Sequence, residues 1–195
     1  RLFYSRRIGK RPAYTPDLGD GEFADVPENT SILGAFKLSG KTSRGLSIGL
    51  LESVTALERS EISGPGGERK EAVEPLTNYF VGRLMQDFRD GDTVVGAMLT
   101  AVNRDIEDGH LEFLRRSAYA AGLDVQHYFL DRDYRLEARF YGSHLRGTAE
   151  AIDLVQTASA RYFQRPDNDH ADYDPTRTTP VSYTHLRAHE TSLNR

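Results

Sequence analysis

The sequence predicts an all-β fold, an antiparallel up-and-down meander that forms an incomplete outer-membrane-type β-barrel with one short helix near residues 148–157. Three observations predict it. Apolar and polar residues alternate over strand-length segments, which places them on opposite faces of a pleated sheet. Short turns and long polar loops alternate between these segments, as they do in outer-membrane barrels. One face of the best segments is apolar and the other is charged, which suits a wall between lipid and a wet lumen.

Strands are predicted wherever the alternation spans a whole segment. These segments are 31–38, 46–57, 76–88, 93–103, 114–129 and 134–145. The Asp90–Gly91 pair is the strongest turn signal between two of them. Short strands are also predicted at 2–8 and 160–164. The helix is predicted from the apolar spacing at 148–157, and the polar stretch 58–74 is predicted as a long loop.

Composition excludes several classes of protein. The chain has 195 residues and a formal net charge of −4, so no basic field favours nucleic acid. It contains no cysteine, which excludes disulfides and thiolate metal sites. No apolar run reaches the roughly 18 residues that a membrane-spanning helix requires, whereas a membrane-spanning strand needs only about 9–11 alternating residues.

The chain divides into three predicted parts. Residues 1–29, rich in basic and turn-forming residues, are predicted as a connecting segment, and residues 30–179 as the partial barrel domain. Residues 180–195 are predicted as a non-native tail, because Val181–Arg195 resembles a peptide translated from sequencing adapters. We therefore leave this tail out of the predicted fold.

Several motifs resemble a known family. They are FYSRRIGKRP (Phe3–Pro12), SILGAFKLSGKT (Ser31–Thr42), EPLTNYFVGRLMQDF (Glu74–Phe88), LTAVNRD (Leu99–Asp105) and SARYFQRPDNDH (Ser159–His170). They resemble the C-terminal domain of unknown function found in certain bacterial surface proteins after a family-nine-type carbohydrate-binding module. The resemblance implies an outer-membrane β-barrel, contact with outer-membrane lipid, and a saccharide ligand held by a module that this chain lacks. It implies no catalytic residues.

Charged residues on one predicted hairpin are the candidates for a lumen face. They are Asp124, Gln126, Arg135, Glu137 and Arg139. Opposite charges on neighbouring strands stabilise a sheet without any further function. In a barrel the same row would line the lumen and tune which solutes enter. Both interpretations stay open from the sequence.

An acidic cluster near the end of the partial barrel domain is the candidate metal site. Its members are Asp167, Asp169, His170, Asp172 and Asp174. Calcium prefers several carboxylate and carbonyl oxygens, which a loop can supply. The alternative is a solvated acidic loop, because the cluster lacks the glycine and terminal glutamate of an EF-hand loop. No other cofactor is predicted.

The sequence therefore predicts a fragment of an outer-membrane barrel domain in a bacterium. Its expected role is to anchor or assist an exported carbohydrate-associated protein, with passage of a solute as an added role. No catalytic centre is predicted. The alternative is a soluble β-domain of a secreted glycan-acting hydrolase. Exposure of Leu136, Ala138 and Phe140 would favour the membrane interpretation, and burial in a protein core would favour the soluble one.

Overall fold

The computed structural model describes residues 9–158 and 173–178 in full, and the backbone of residues 185–192. These residues form antiparallel strands and one short helix, α1 (Ala149–Gln156). In chain order the strands are β1 (Phe23–Asp25), β2 (Ile32–Lys41), β3 (Leu46–Thr55), β4 (Glu58–Gly64), β5 (Gly67–Glu74), β6 (Leu76–Phe88), β7 (Thr93–Asp105), β8 (Ser117–Phe129), β9 (Tyr134–Arg146) and β10 (His185–Ser192). A 3₁₀ turn lies at Gly109–Leu111.

Most of the strands belong to one large sheet. It has seven strands in the order β10-β9-β8-β7-β6-β3-β2, and every pairing is antiparallel. Among the described strands this sheet does not close on itself, because β2 and β10 are its two edges. The prediction of an antiparallel, incomplete meander with one short helix is therefore confirmed. The predicted strands at 2–8 and 160–164 lie outside the described residues.

The prediction of a long loop at 58–74 is wrong. Strands β4 and β5 form a hairpin that pairs with β1 in a separate three-stranded sheet. The hairpin interrupts the meander between β3 and β6. Its buried side includes Ser60 and Ile62, while Lys70 pairs with Glu61 on the exposed side. Cross-strand charge pairs stabilise this hairpin although it contains few apolar residues.

The tail left out of the predicted fold has a place in the large sheet. The backbone of His185–Ser192 pairs antiparallel with Tyr134–Tyr141 of β9. An edge strand presents unpaired N–H and C=O groups, and a segment able to extend can pair with them whatever its side chains. The origin of residues 180–195 stays a prediction. Within the connecting segment 1–29, Phe23–Asp25 is a strand that pairs with β4.

The two faces of the large sheet differ in chemistry. Directly opposed residues form one row of Gly40, Ile48, Leu84, Ala97, Leu123 and Phe140, and the next row of Leu38, Leu50, Gly82, Leu99, Ala121 and Gly142. No member of either row is polar or charged. We call this side the apolar face. The opposite side, the polar face, includes the row Lys41, Ser47, Met85, Gly96, Asp124 and Arg139.

The buried apolar residues lie at the end of the sheet with the long connections. One cluster joins Ala72 of β5 to Ile106, Leu111 and Leu114 of the β7–β8 connection. The other joins Leu145 of β9 to Ile152 and Val155 of α1. Helix α1 thus packs on the polar face at β8 and β9. Its first turn is capped by the Thr148 hydroxyl, which accepts a hydrogen bond from the Ala151 N–H.

Candidate functional site

The centre of the polar face carries an ion pair that spans three strands. Arg83 of β6 donates from Nη1 to Asp124 Oδ1 at 2.5 Å and from Nη2 to Oδ2 at 3.0 Å. Asp124 lies on β8, so the arginine crosses β7 to reach it. Two parallel bonds between a guanidinium and a carboxylate are the strongest geometry that such a pair adopts. The pair therefore holds both side chains in one orientation.

Glycine at position 96 makes this crossing feasible. Gly96 is directly opposite Asp124 in the β7–β8 register. A Cβ atom there would lie 2.5 Å from Asp124 Oδ2 and 2.7 Å from Arg83 Nη2. Both distances are too short for a carbon atom in contact with either group. A side chain at position 96 would therefore displace the ion pair.

Electrostatics keep Arg83 charged. The hydrogen bond to Asp124 raises the pKa of Arg83 above its ordinary value, outweighing the opposite effect of partial burial. Arginine is already protonated throughout the physiological range. Arg83 therefore presents a fixed positive charge beside a carboxylate on the polar face.

The predicted lumen-facing residues lie on this same face. The β8–β9 register places Asp124 opposite Arg139, Gln126 opposite Glu137, and Tyr128 opposite Arg135. Glu137 accepts from Arg139 at 3.2 Å and forms an ion pair with Arg135. Arg135 also donates to Gln126 at 3.3 Å. The network around Glu137 therefore joins two arginines to one carboxylate, with Gln126 at its edge.

The hydrogen bonds of Asp124 reach beyond the hairpin on which the sequence places it. The sequence predicts a charged ladder across one hairpin, and the β8–β9 register sets Asp124 opposite Arg139 there. The carboxylate instead binds Arg83, which lies two strands away. Sequence reasoning did not single out Arg83 or Gly96. The available signal was a glycine inside a strand, which marks a place where other groups approach the backbone closely.

The metal candidates fall mostly outside the described residues. Asp167, Asp169, His170 and Asp172 all do. Asp174 is described, and its Oδ1 accepts hydrogen bonds from the Thr176 N–H at 2.9 Å and hydroxyl at 2.7 Å. These bonds lower the pKa of Asp174 below its ordinary value. In the part of the chain that the structure describes, no group of three or more His, Cys, Asp or Glu side chains is arranged to hold a metal ion.

The apolar face is unusually exposed. Leu99 retains 45% and Leu123 retains 53% of their accessible surface. A groove of about 790 Å³ lies among the side chains of this face, with Ile48, Leu50, Phe80, Leu84 and Phe140 in its lining. Large apolar side chains at the centre of this face are thus open to the surface.

Aromatic residues mark the end of the sheet with the short turns. Phe129 and Tyr134 flank the β8–β9 turn, and their stacked rings have centroids 5.5 Å apart. The ring of His127 stacks on that of Phe129, with 6.0 Å between the ring centroids. Phe88 occupies the equivalent place beside the β6–β7 turn and is also exposed. The aromatic residues therefore border the apolar face along one end.

No helix among the described residues is long and apolar enough to cross a membrane.

Comparisons with known proteins identify the family and no function. No curated protein and no solved structure matches the sequence. The sequence does match the family described as "Domain of unknown function (DUF5916)" over residues 1–166. Because this match covers most of the 195 residues, the chain belongs to that family.

Proposed function

We propose that this chain is part of the wall of a bacterial outer-membrane β-barrel. In this proposal the barrel anchors an exported carbohydrate-associated protein, with the apolar face toward lipid and the polar face toward a wet lumen. One observation carries the proposal. The central rows of the apolar face contain no polar side chain across six strands, and most of their large members are exposed.

Contact of the apolar face with water is energetically costly, so another material has to cover it. Exposed apolar surface costs about 25 cal/mol per Å² in water. A soluble monomer rarely leaves a contiguous apolar patch larger than a few hundred Å². Lipid removes this cost without any protein partner, and an alternating strand pattern is the arrangement that barrels use for it.

The soluble alternative requires a different environment for β9. A soluble β-domain of a glycan-acting hydrolase would bury the inward residues of this strand in a core. Leu136 and Phe140 instead retain 38% and 41% of their accessible surface. Another protein layer would have to cover them, and the described residues place helix α1 on the opposite face. This difference supports the membrane proposal over the soluble one.

The polar face suits a lumen because its charges are paired. The Arg83–Asp124 pair and the Arg135–Glu137–Arg139 group satisfy most charges within the sheet. Rings of such groups select solutes in pores. Passage of a saccharide-like solute, and association with a carbohydrate-binding module, rest on the family resemblance and are part of the proposal.

The experiment uses matched charge insertions in the full-length gene product that carries this chain, expressed with an export signal. Leu99→Arg places a charge on the apolar face, and Thr100→Arg places one on the polar face of the same strand. Arginine facing lipid at mid-membrane costs about 2–4 kcal/mol, whereas a lumen position tolerates it. Leu99→Arg should abolish the outer-membrane band that shifts on boiling, and Thr100→Arg should retain it. A soluble, unshifted wild-type protein would contradict the proposal.

A further inference from the structure

Strand β2 is an open edge of the large sheet. Among the described strands it pairs only with β3, on one side, and all ten of its residues are exposed. An edge strand of this length is a template for another strand. Natural proteins protect such edges with bulges, prolines, short strands or charged side chains, lysine above all. Lys37 and Lys41 are residues of that kind, whereas the exposed Phe36 and Leu38 of the same strand are not. The irregularity in β2 is confined to its first residues, between Ile32 and Gly34, and the rest pairs regularly.

The side chains of β2 continue both faces of the sheet to this edge. Phe36 and Leu38 extend the apolar face and are 60% and 47% exposed. Lys37 and Lys41 extend the polar face, opposite Leu51 and Ser47 of β3. Neither opposed residue can neutralise a lysine. Among the described residues, these two lysines form no ion pair. Carboxylates on the open side would supply the missing charges.

The other edge of the sheet cannot supply the partner in the same geometry. Because seven strands alternate in direction, β2 and β10 run the same way. Direct pairing of these edges would be parallel, whereas every pairing in the sheet is antiparallel. A strand that continues the antiparallel pattern beside β2 would run in the opposite direction to both edges.

A second copy of β2 fits poorly. The strand contains no aspartate or glutamate, so a copy would add two lysines and no carboxylate. In an antiparallel pair centred on Ser39, Lys37 of each copy would face Lys41 of the other. Like charges directly opposed across strands are destabilising. The charges therefore favour a partner strand of different sequence.

We propose that β2 pairs with a further antiparallel strand of the full-length polypeptide, one that is not among the described strands. That strand carries apolar residues beside Phe36 and Leu38, and aspartate or glutamate beside Lys37 and Lys41. This inference rests on the proposed barrel, since it names the contact through which the wall continues.

A photo-crosslinking amino acid tests the contact. It replaces Ser39 in the full-length protein in membranes, and the products are separated by size and sequenced by mass spectrometry. The expected product has the mass of one polypeptide and joins β2 to a segment with alternating apolar and acidic residues. The double variant Lys37→Glu/Lys41→Glu should reduce its yield several-fold, and Lys37→Gln/Lys41→Gln should reduce it less. The same crosslinker at Glu68, on the small sheet, is the control position.

Other outcomes overturn the inference. A crosslinked dimer would mean that a second copy covers β2, and absence of any protein crosslink would mean that the edge is open. The charge insertions at Leu99 and Thr100 report separately on the membrane proposal. If Leu99→Arg abolishes the heat-shifted band while Ser39 crosslinks to nothing, only the edge inference fails. If Ser39 crosslinks as expected in a soluble protein, only the membrane proposal fails.

Discussion

Arg83 and Asp124 are joined by two hydrogen bonds that pass over strand β7 at Gly96. The pair connects β6 to β8, which are not neighbours in the sheet. It therefore fixes the relative positions of three strands through side chains as well as backbone. The pair is the central polar contact on the face proposed to line the lumen.

Replacing the glycine should break this contact. Gly96→Val places methyl groups where the ion pair now lies, and we expect it to lower the free energy of unfolding by about 1–3 kcal/mol, the usual cost of overpacking. The control is Gly40→Val on β2, where no heavy atom lies within 4 Å of an added Cβ. Denaturant titration of both variants checks this. Equal effects at the two positions would mean that the space over Gly96 is not required.

The coupling between the two charges should be measurable but modest. Both side chains are partly exposed, so solvent screens them. A double-mutant cycle with Arg83→Ala and Asp124→Ala should give about 1 kcal/mol of coupling, and 1 M salt should reduce it. The same cycle on Arg132 and Asp92, an exposed pair at the turn end, should give less. A coupling near zero at Arg83–Asp124 would contradict the paired geometry.

The contribution of helix α1 to stability should come only from the face that packs on the sheet. Ile152 is buried against Leu145, whereas Leu154 on the same helix is half exposed. Ile152→Ala should destabilise the protein by about 2–4 kcal/mol through loss of burial and the cavity left behind. Leu154→Ala should change the stability by less than about 0.5 kcal/mol. Thermal or denaturant unfolding compares the two, and similar losses would mean that α1 does not dock as described.

Acid should weaken the small sheet through Glu22. Its hydrogen bond from Arg69 lowers the pKa of Glu22 in the folded protein. A carboxyl with a lowered folded pKa adds stability above its unfolded pKa, about 4.3, and that stability is lost as the pH falls through the folded value. The unfolding midpoint of wild type minus that of Glu22→Gln should therefore shrink below about pH 4. A difference that stays constant with pH would show that the ion pair contributes nothing.

The sequence predicts the large sheet well because alternation is a local property. Tyr134–Ser143 alternates without interruption, and the corresponding strand β9 spans Tyr134–Arg146. The helix at Ala149–Gln156 follows from a change of period that is equally local. Faces and turns can therefore be assigned from the order of residues alone.

Contacts that depend on packing and register were not predictable in this way. The hairpin β4–β5 was missed because Ile62 is the only large apolar residue in β4, and its charges pair only once the strands are aligned. Arg83 lies 41 residues from Asp124, and only the registers of two successive strand pairs bring them together. Local alternation carries no information about such registers.

A fluorescent label can report whether lipid or water contacts the apolar face. The chain contains no cysteine, so a single introduced cysteine can be labelled with an environment-sensitive fluorophore. Leu123→Cys reports on the apolar face and Ala120→Cys on the polar face of the same strand, in the full-length protein within lipid vesicles. We expect lipid-attached quenchers to dim the label at position 123, and aqueous iodide to dim the label at position 120. A label at position 123 that iodide quenches, or that neither quencher reaches, would contradict the membrane proposal.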